Sequence, residues 1–105
     1  MDAARLSSPR RLEIPIDNRW GAGTMSVLDF GPETRPVGLV FVHANGFHGA
    51  TYRRLLAPLS PSLRILAPDL RGHGLSRLPA TPTWRRNWFD FRDDLISLLD
   101  RLGGP

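Results

Sequence analysis

The six residues VGLVFV at 37–42 constrain what this chain can fold into more than any other stretch. The run is continuously apolar, Val-rich and far too short to span a bilayer. It has no polar face to give to water, so it reads as a strand covered on both sides. That is the habit of a parallel sheet held between helices. A second apolar run, LRILA, lies at 63–67. Between the two, ATYRRLLAPL at 50–59 places Tyr52, Leu55, Leu56 and Leu59 on one helical stripe, with Pro58 inside it and Pro61 after it. Strand, helix, strand in that order calls for a parallel, right-handed crossover.

The flanking segments extend the pattern. RLEIPI at 11–16 alternates polar and apolar residues and reads as a first strand, weakened by Pro15. MSVLDF at 25–30 reads as a second strand, and the turn chemistry of DNRWGAG at 17–23 makes the pair a hairpin. GPETRP at 31–36 is a loop, as is the Pro-rich LPATPTW at 78–84. RNWFDFRDDLISLLDRL at 86–102 is the clearest helix. Trp88, Phe91, Leu95, Leu98, Leu99 and Leu102 form its apolar face, and Asp90, Asp93, Asp94 and Asp100 are expected to face solvent. Gly103, Gly104 and Pro105 stop it. With 105 residues there is room for one small domain, read as 11–105 behind a flexible leader at 1–10.

Composition removes several classes of function. The chain has no Cys, so disulfides, thiolate metal sites and a Cys nucleophile are excluded, which fits a cytoplasmic protein. Its net charge of +4 comes from 14 basic residues, all Arg, and they are scattered from Arg5 to Arg101. Nucleic-acid binding needs a denser basic face with interleaved aromatics, so none is expected, and Arg-only usage reads as codon bias. The N-terminal MDAARLSSPRRLEIP lacks an apolar core and is not a secretory signal. Its Arg and Ser faintly resemble a transit peptide, but a frayed leader is the plainer reading. No membrane association is expected. The histidines are His43, His48 and His73, and they have no acidic partner at ligand spacing. Neither a metal nor a cofactor is expected, and loop-fixing hydrogen bonds suit His43 and His73 better.

Two glycine-bearing segments carry the chemistry. HANGFHG at 43–49 follows the first buried strand, where a turn can aim backbone N–H groups into the crevice at the strand's carboxyl end. Such donors can hold an anion or a developing oxyanion. PDLRGHGLS at 68–76 follows the second buried strand. In this order and spacing the two segments resemble the α/β-hydrolase superfamily, over about residues 11–105. HANGFHG is similar to the family's HG-type oxyanion turn, and DLRGHGLS to its D-x-R-G-x-G-x-S loop.

The resemblance implies an incomplete α/β fold, the N-terminal part of a three-layer α/β/α architecture whose sheet is mostly parallel after an N-terminal hairpin. It implies that Phe47 supplies an oxyanion donor through its N–H and lines the pocket. If His43 is the matching histidine, Asn45 or Gly46 is the donor instead. It implies that Asp69, Arg71, Gly72, His73, Gly74 and Ser76 are structural. Gly72 and Gly74 would permit positive φ, and Asp69 and Arg71 would bond the loop's own backbone or the oxyanion turn. A local triad of Ser76, His73 and Asp69 is not expected, because close neighbours on one loop rarely converge in the required geometry.

The family's G-x-S-x-G elbow does not occur in these residues, so nucleophile, acid and base are all expected beyond Pro105. The expected activity is cleavage of a small ester or related acyl substrate by a Ser-Asp-His triad in a longer protein, with this chain inactive alone. The alternatives are a truncated or non-catalytic interaction module, or part of an epoxide hydrolase or dehalogenase with an Asp nucleophile. In the family's sheet the third strand also pairs with the fifth. Without that partner, 37–42 is expected to be an exposed edge prone to self-association.

Overall fold

Asn18 starts the architecture. Its side-chain oxygen accepts the Trp20 N–H at 2.9 Å, a side-chain mimic of a backbone turn, and the chain reverses through Arg19 and Trp20. The computed structural model describes residues 9–44, 47–80 and 88–102. Strand β1 (Arg10–Asn18) pairs antiparallel with β2 (Gly21–Phe30) along their whole length. Both strands therefore run further into the expected 17–23 turn than composition suggests. Arg10, read as leader, opens β1. Pro15 is tolerated because β1 has a neighbour on one side only among the described residues, at the edge of the sheet.

Strand β3 (Val37–Val40) and strand β4 (Arg64–Pro68) complete a sheet in the order β1-β2-β4-β3. β4 inserts beside β2 antiparallel, and β3 joins β4 parallel with a register shift between Val37 and Leu39. The β3–β4 crossover is less regular than one helix. It consists of a 3-10 turn at Gly49–Tyr52, the short helix α1 (Arg53–Leu56) and a 3-10 turn at Ala57–Leu59 containing Pro58. Of the expected stripe Leu56 is buried, whereas Leu55 and Leu59 are exposed. Helix α2 (Phe89–Arg101) closes the described chain.

Two apolar clusters show the three layers. On one face Met25, Val27 and Leu66 pack with Ile16, Leu78 and Leu98 of α2. On the other, Leu28, Phe30, Ile65 and Ala67 pack with Leu56 and Ala57 of the crossover. Alternate residues of β2 and β4 thus serve opposite clusters, as the period of two requires. The strands buried on both faces are β2 and β4. The 37–42 run is not: Leu39 and Val42 are exposed, because β3 has a sheet neighbour on one side only among the described residues.

One correction to the helix matters for everything around it. Asp94 does not face solvent. It is 0% exposed and forms a two-pronged ion pair with Arg71, itself 2% exposed. Arg71 Nε donates to Asp94 Oδ2 at 2.9 Å and Nη2 donates to Oδ1 at 2.8 Å. Arg71 Nη1 donates to the carbonyls of Trp20 and Pro79 at 2.7 and 2.8 Å, and Nη2 reaches Asn18 Oδ1 at 3.4 Å. Every N–H of the guanidinium therefore has an acceptor, which is what makes a buried cation tolerable. Asn18 Nδ2 also donates to Asp94 Oδ1 at 2.9 Å. The hairpin turn, α2 and the loop after β4 meet at this pair. Nearer the surface, Trp20 Nε1 donates to Asp93 Oδ2 at 2.8 Å. The hydrogen bonds of Arg92 and then Trp20 hold the Asp93 carboxyl below its usual range.

A second buried carboxylate, Asp29, takes two hydrogen bonds from Arg64, at 3.0 and 2.9 Å, and forms an ion pair with Arg10 at 3.1 Å. The hydrogen bonds of Asp29 raise the Arg64 pKa.

Replacing Asp94 by Ala strands the Arg71 charge and is expected to cost about 3–5 kcal/mol. The paired change Arg71→Met with Asp94→Leu is expected to cost less than either single replacement, because it leaves no unpaired buried charge. Urea unfolding followed by tryptophan fluorescence decides; a double mutant as unstable as the sum of the singles contradicts the reading.

Candidate functional site

Parallel strands β3 and β4 deliver their following segments, 41–49 and 69–76, to the same end of the sheet. In open α/β sheets that carboxyl end is where ligand crevices form. These two segments are the HANGFHG and DLRGHGLS stretches, and the polar side chains of the second hold the first in place.

Asp69 is buried and its two oxygens serve two backbones. Oδ1 accepts the Gly49 N–H at 2.8 Å, and Oδ2 accepts the Leu75 N–H at 3.0 Å. Arg11 Nη1 lies 3.6 Å from Oδ2. The Asp69 N–H donates to the Ser26 carbonyl at 2.8 Å, so the loop continues to lean on β2 after β4 has ended. Asp69 thus bonds both its own loop and the end of the preceding turn.

His43 makes a second link between the segments. It is 4% exposed. Its Nε2 accepts the Leu70 N–H at 2.9 Å, which leaves the proton on Nδ1 to be donated to the Ala44 carbonyl at 2.8 Å. One neutral tautomer satisfies both contacts. Burial, the largest influence, pushes its pKa below the ordinary 6.5. The ring lies 5.0 Å from the His73 ring, and His73 stacks edge-on against Phe91 of α2 at 6.0 Å.

The remaining loop residues are tied to backbone. Ser76 Oγ donates to the Asp69 carbonyl at 2.6 Å and accepts the Ser26 N–H at 2.9 Å. His73 Nδ1 lies 2.9 Å from the Arg71 carbonyl. Ser76, His73 and Asp69 are therefore near one another without a hydroxyl-to-imidazole-to-carboxylate chain. Gly72 and Gly74 have φ of +77° and +52°. At Gly74 a Cβ would also run into the Asp69 carboxylate, so side-chain space and backbone angle both demand glycine.

The expected oxyanion residues lie on the turn itself. Asn45 and Gly46 are outside the described residues. Phe47 is 50% exposed with its ring edge-on to Tyr52 at 6.3 Å. Its N–H donates to the Ala44 carbonyl at 3.0 Å, so in this conformation that donor is already engaged. Among the described residues no group of three or more His, Cys, Asp or Glu is placed to hold a metal ion. No helix among them is long and apolar enough to cross a membrane.

Asp94 and Asn18 were not singled out as site-supporting residues, yet they anchor Arg71. A signal for Asp94 was present. Positions 91, 94 and 98 fall on one helical stripe, and both Phe91 and Leu98 are buried. Nothing in the sequence marks Ser26, whose amide, carbonyl and hydroxyl all serve the loop or Arg11.

Asp69→Ala is expected to destabilise the chain by about 1–3 kcal/mol, the cost of leaving the buried Gly49 N–H without an acceptor. In amide NMR spectra the Gly49 and Leu75 protons should both move upfield. Asp69→Asn, which keeps one acceptor oxygen, should be milder. Unmoved Gly49 and Leu75 resonances in Asp69→Ala would contradict the assignment.

Comparison with known proteins agrees with this geometry. The profile of the alpha/beta hydrolase family matches residues 39–105. The chain is 37% identical over 101 residues to the magnesium-chelatase 30 kDa subunit of Rhodobacter capsulatus, covering 93% of this chain and 31% of that protein. It is 36% identical over 105 residues to the cis-3-alkyl-4-alkyloxetan-2-one decarboxylase of Xanthomonas campestris, covering 93% and 33%. The solved haloalkane dehalogenase of Bradyrhizobium elkani superposes with a TM-score of 0.75 at 26% identity, covering 91% of this chain and 30% of that one. The chain thus spans about a third of the length of the curated relatives it matches. With the two glycine-bearing segments at the carboxyl ends of β3 and β4, and a family match over residues 39–105, the chain belongs to the α/β-hydrolase family and has the fold of its N-terminal portion.

Proposed function

We propose that this chain forms the oxyanion-side scaffold of a hydrolase that cleaves an ester or related acyl bond, and that its catalytic triad lies on chain beyond Pro105. The observation that carries the reading is the placement of the 43–49 turn. It sits at the carboxyl end of β3 and is fixed by Asp69 and His43 to the loop after β4. In such a hydrolase a downstream Ser attacks the acyl carbon, and turn N–H groups steady the negative oxygen that forms. Phe47 supplies one donor by exchanging its bond to Ala44 for one to the oxyanion, and its exposed ring borders the acyl group. Alone, the 105 residues turn over no substrate, and the protein acts in the cytoplasm.

A second reading is favoured by a specific likeness. A haloalkane dehalogenase of Mesorhizobium japonicum is 31% identical over 96 residues, covering 91% of this chain and 28% of that protein. An Asp nucleophile would then replace Ser, and the scaffold would steady a different leaving group. A third, non-catalytic reading treats the 105 residues as the working protein, with the exposed β3 edge as a pairing surface for a second copy.

The intact mass of the protein made by its source cell separates the first two readings from the third. A mass well above 11.7 kDa, with a serine labelled by a fluorophosphonate probe and p-nitrophenyl ester hydrolysis, supports the acyl hydrolase. Halide release from a haloalkane without serine labelling supports the second reading. A mass near 11.7 kDa removes both, and the 105-residue chain should then sediment as a dimer or larger species. A monomer with cooperative, dye-free unfolding contradicts pairing through the edge.

A further inference from the structure

His43 has both ring nitrogens committed to backbone atoms of two different segments. Neither the other neutral tautomer nor the protonated ring keeps both contacts. The Leu70 N–H points at Nε2, so a proton added there would face another donor across 2.9 Å. The link is therefore compatible with the neutral ring alone. We propose that His43 is a positioning residue whose neutral imidazole fastens the 43–49 turn to the 69–76 loop, and whose protonation unfastens it.

Four nearby groups modulate the effect of burial. The Ala44 carbonyl bonded to Nδ1 and, more weakly, Asp69 on the loop favour a charge on His43, and His73 on the loop and His48 on the same turn disfavour one. The Asp69 carboxylate is occupied by the Gly49 and Leu75 N–H groups, with Arg11 beside it. It makes no direct bond that would reward a charged His43. On the loop's far side α2 presents Phe91, an apolar ring, to His73. Burial outweighs these influences and holds the ring neutral below its ordinary 6.5.

The sign of the pH dependence follows. Between 6.5 and the lower folded midpoint, the unfolded chain binds more protons than the folded chain. The stabilisation is complete above 6.5 and is lost as pH falls through the folded midpoint. Asp69 still holds Gly49 after His43 lets go, so the His43 end is released from the loop while the Gly49 end stays pinned. The functional meaning rests on the proposed oxyanion role of this turn. If that holds, acid lowers kcat with little effect on KM, because donors aimed at the transition state lose their placement.

Imidazole nitrogen NMR on the protein as its source cell makes it tests the link without reference to activity. At pH 7.5 His43 should show Nδ1–H with Nε2 unprotonated, and should titrate with a midpoint below 6.5. The Leu70 amide proton should shift upfield and exchange faster with that same midpoint. In His43→Gln, whose side-chain oxygen can accept the same bond, Leu70 should stay protected and lose the pH response. In His43→Ala it should be unprotected at every pH. A His43 that titrates at or above 6.5, or a Leu70 amide indifferent to it, overturns the proposal, whatever the substrate proves to be. A Leu70 amide that responds as described, in a protein without acyl hydrolase activity, keeps the link and removes the oxyanion reading.

Discussion

The Asp69 carboxylate holds together what the sheet alone cannot. After β4 ends at Pro68, the loop backbone bonds to the β2 backbone only at its two ends, through Asp69 and Arg77, and the turn after β3 contributes few apolar side chains. A buried carboxylate resolves this by collecting N–H groups, from Gly49 on one segment and Leu75 on the other. Burying that charge without donors would be prohibitive, so the loop geometry and the ionised side chain require each other. Gly74 follows from the same constraint, since any side chain there would occupy the carboxylate's space. Arg71, two residues on, applies the same logic outward and ties the loop to α2 and the hairpin turn.

Much of this was legible in the sequence because it depends on local pattern. Alternation marked β1, apolar runs marked β3 and β4, and spacing marked α2. What was not legible depends on partners distant in the chain. VGLVFV has the composition of a doubly covered strand, yet burial depends on neighbours, and β3 has one on a single side among the described residues. Asp94 looks like a surface residue until the Arg71 guanidinium, 23 positions away, is placed against it. The identity of the oxyanion donor was ambiguous in sequence, because the turn has an Ala and an Asn between His43 and Gly46. The described residues add one fact, that the Phe47 N–H is bonded to Ala44.

The relatives illustrate how little a shared frame says about chemistry. Their names include a magnesium-chelatase subunit, an oxetanone decarboxylase, an enol-lactonase and a dehalogenase, all matched over 85% or more of this chain. Membership of one family therefore fixes the frame of this chain and leaves its chemistry open. What the present chain shows is two loop segments tied together at the carboxyl end of the sheet.

Native-state hydrogen exchange tests whether these polar contacts bind the two segments into the core. The amides of Gly49, Asp69, Leu70 and Leu75 are expected to open together with the β2 and β4 amides, as one cooperative unit with a common urea dependence. Gly49 and Leu75 exchanging at the rate of free loop residues, while β2 and β4 stay protected, would contradict it.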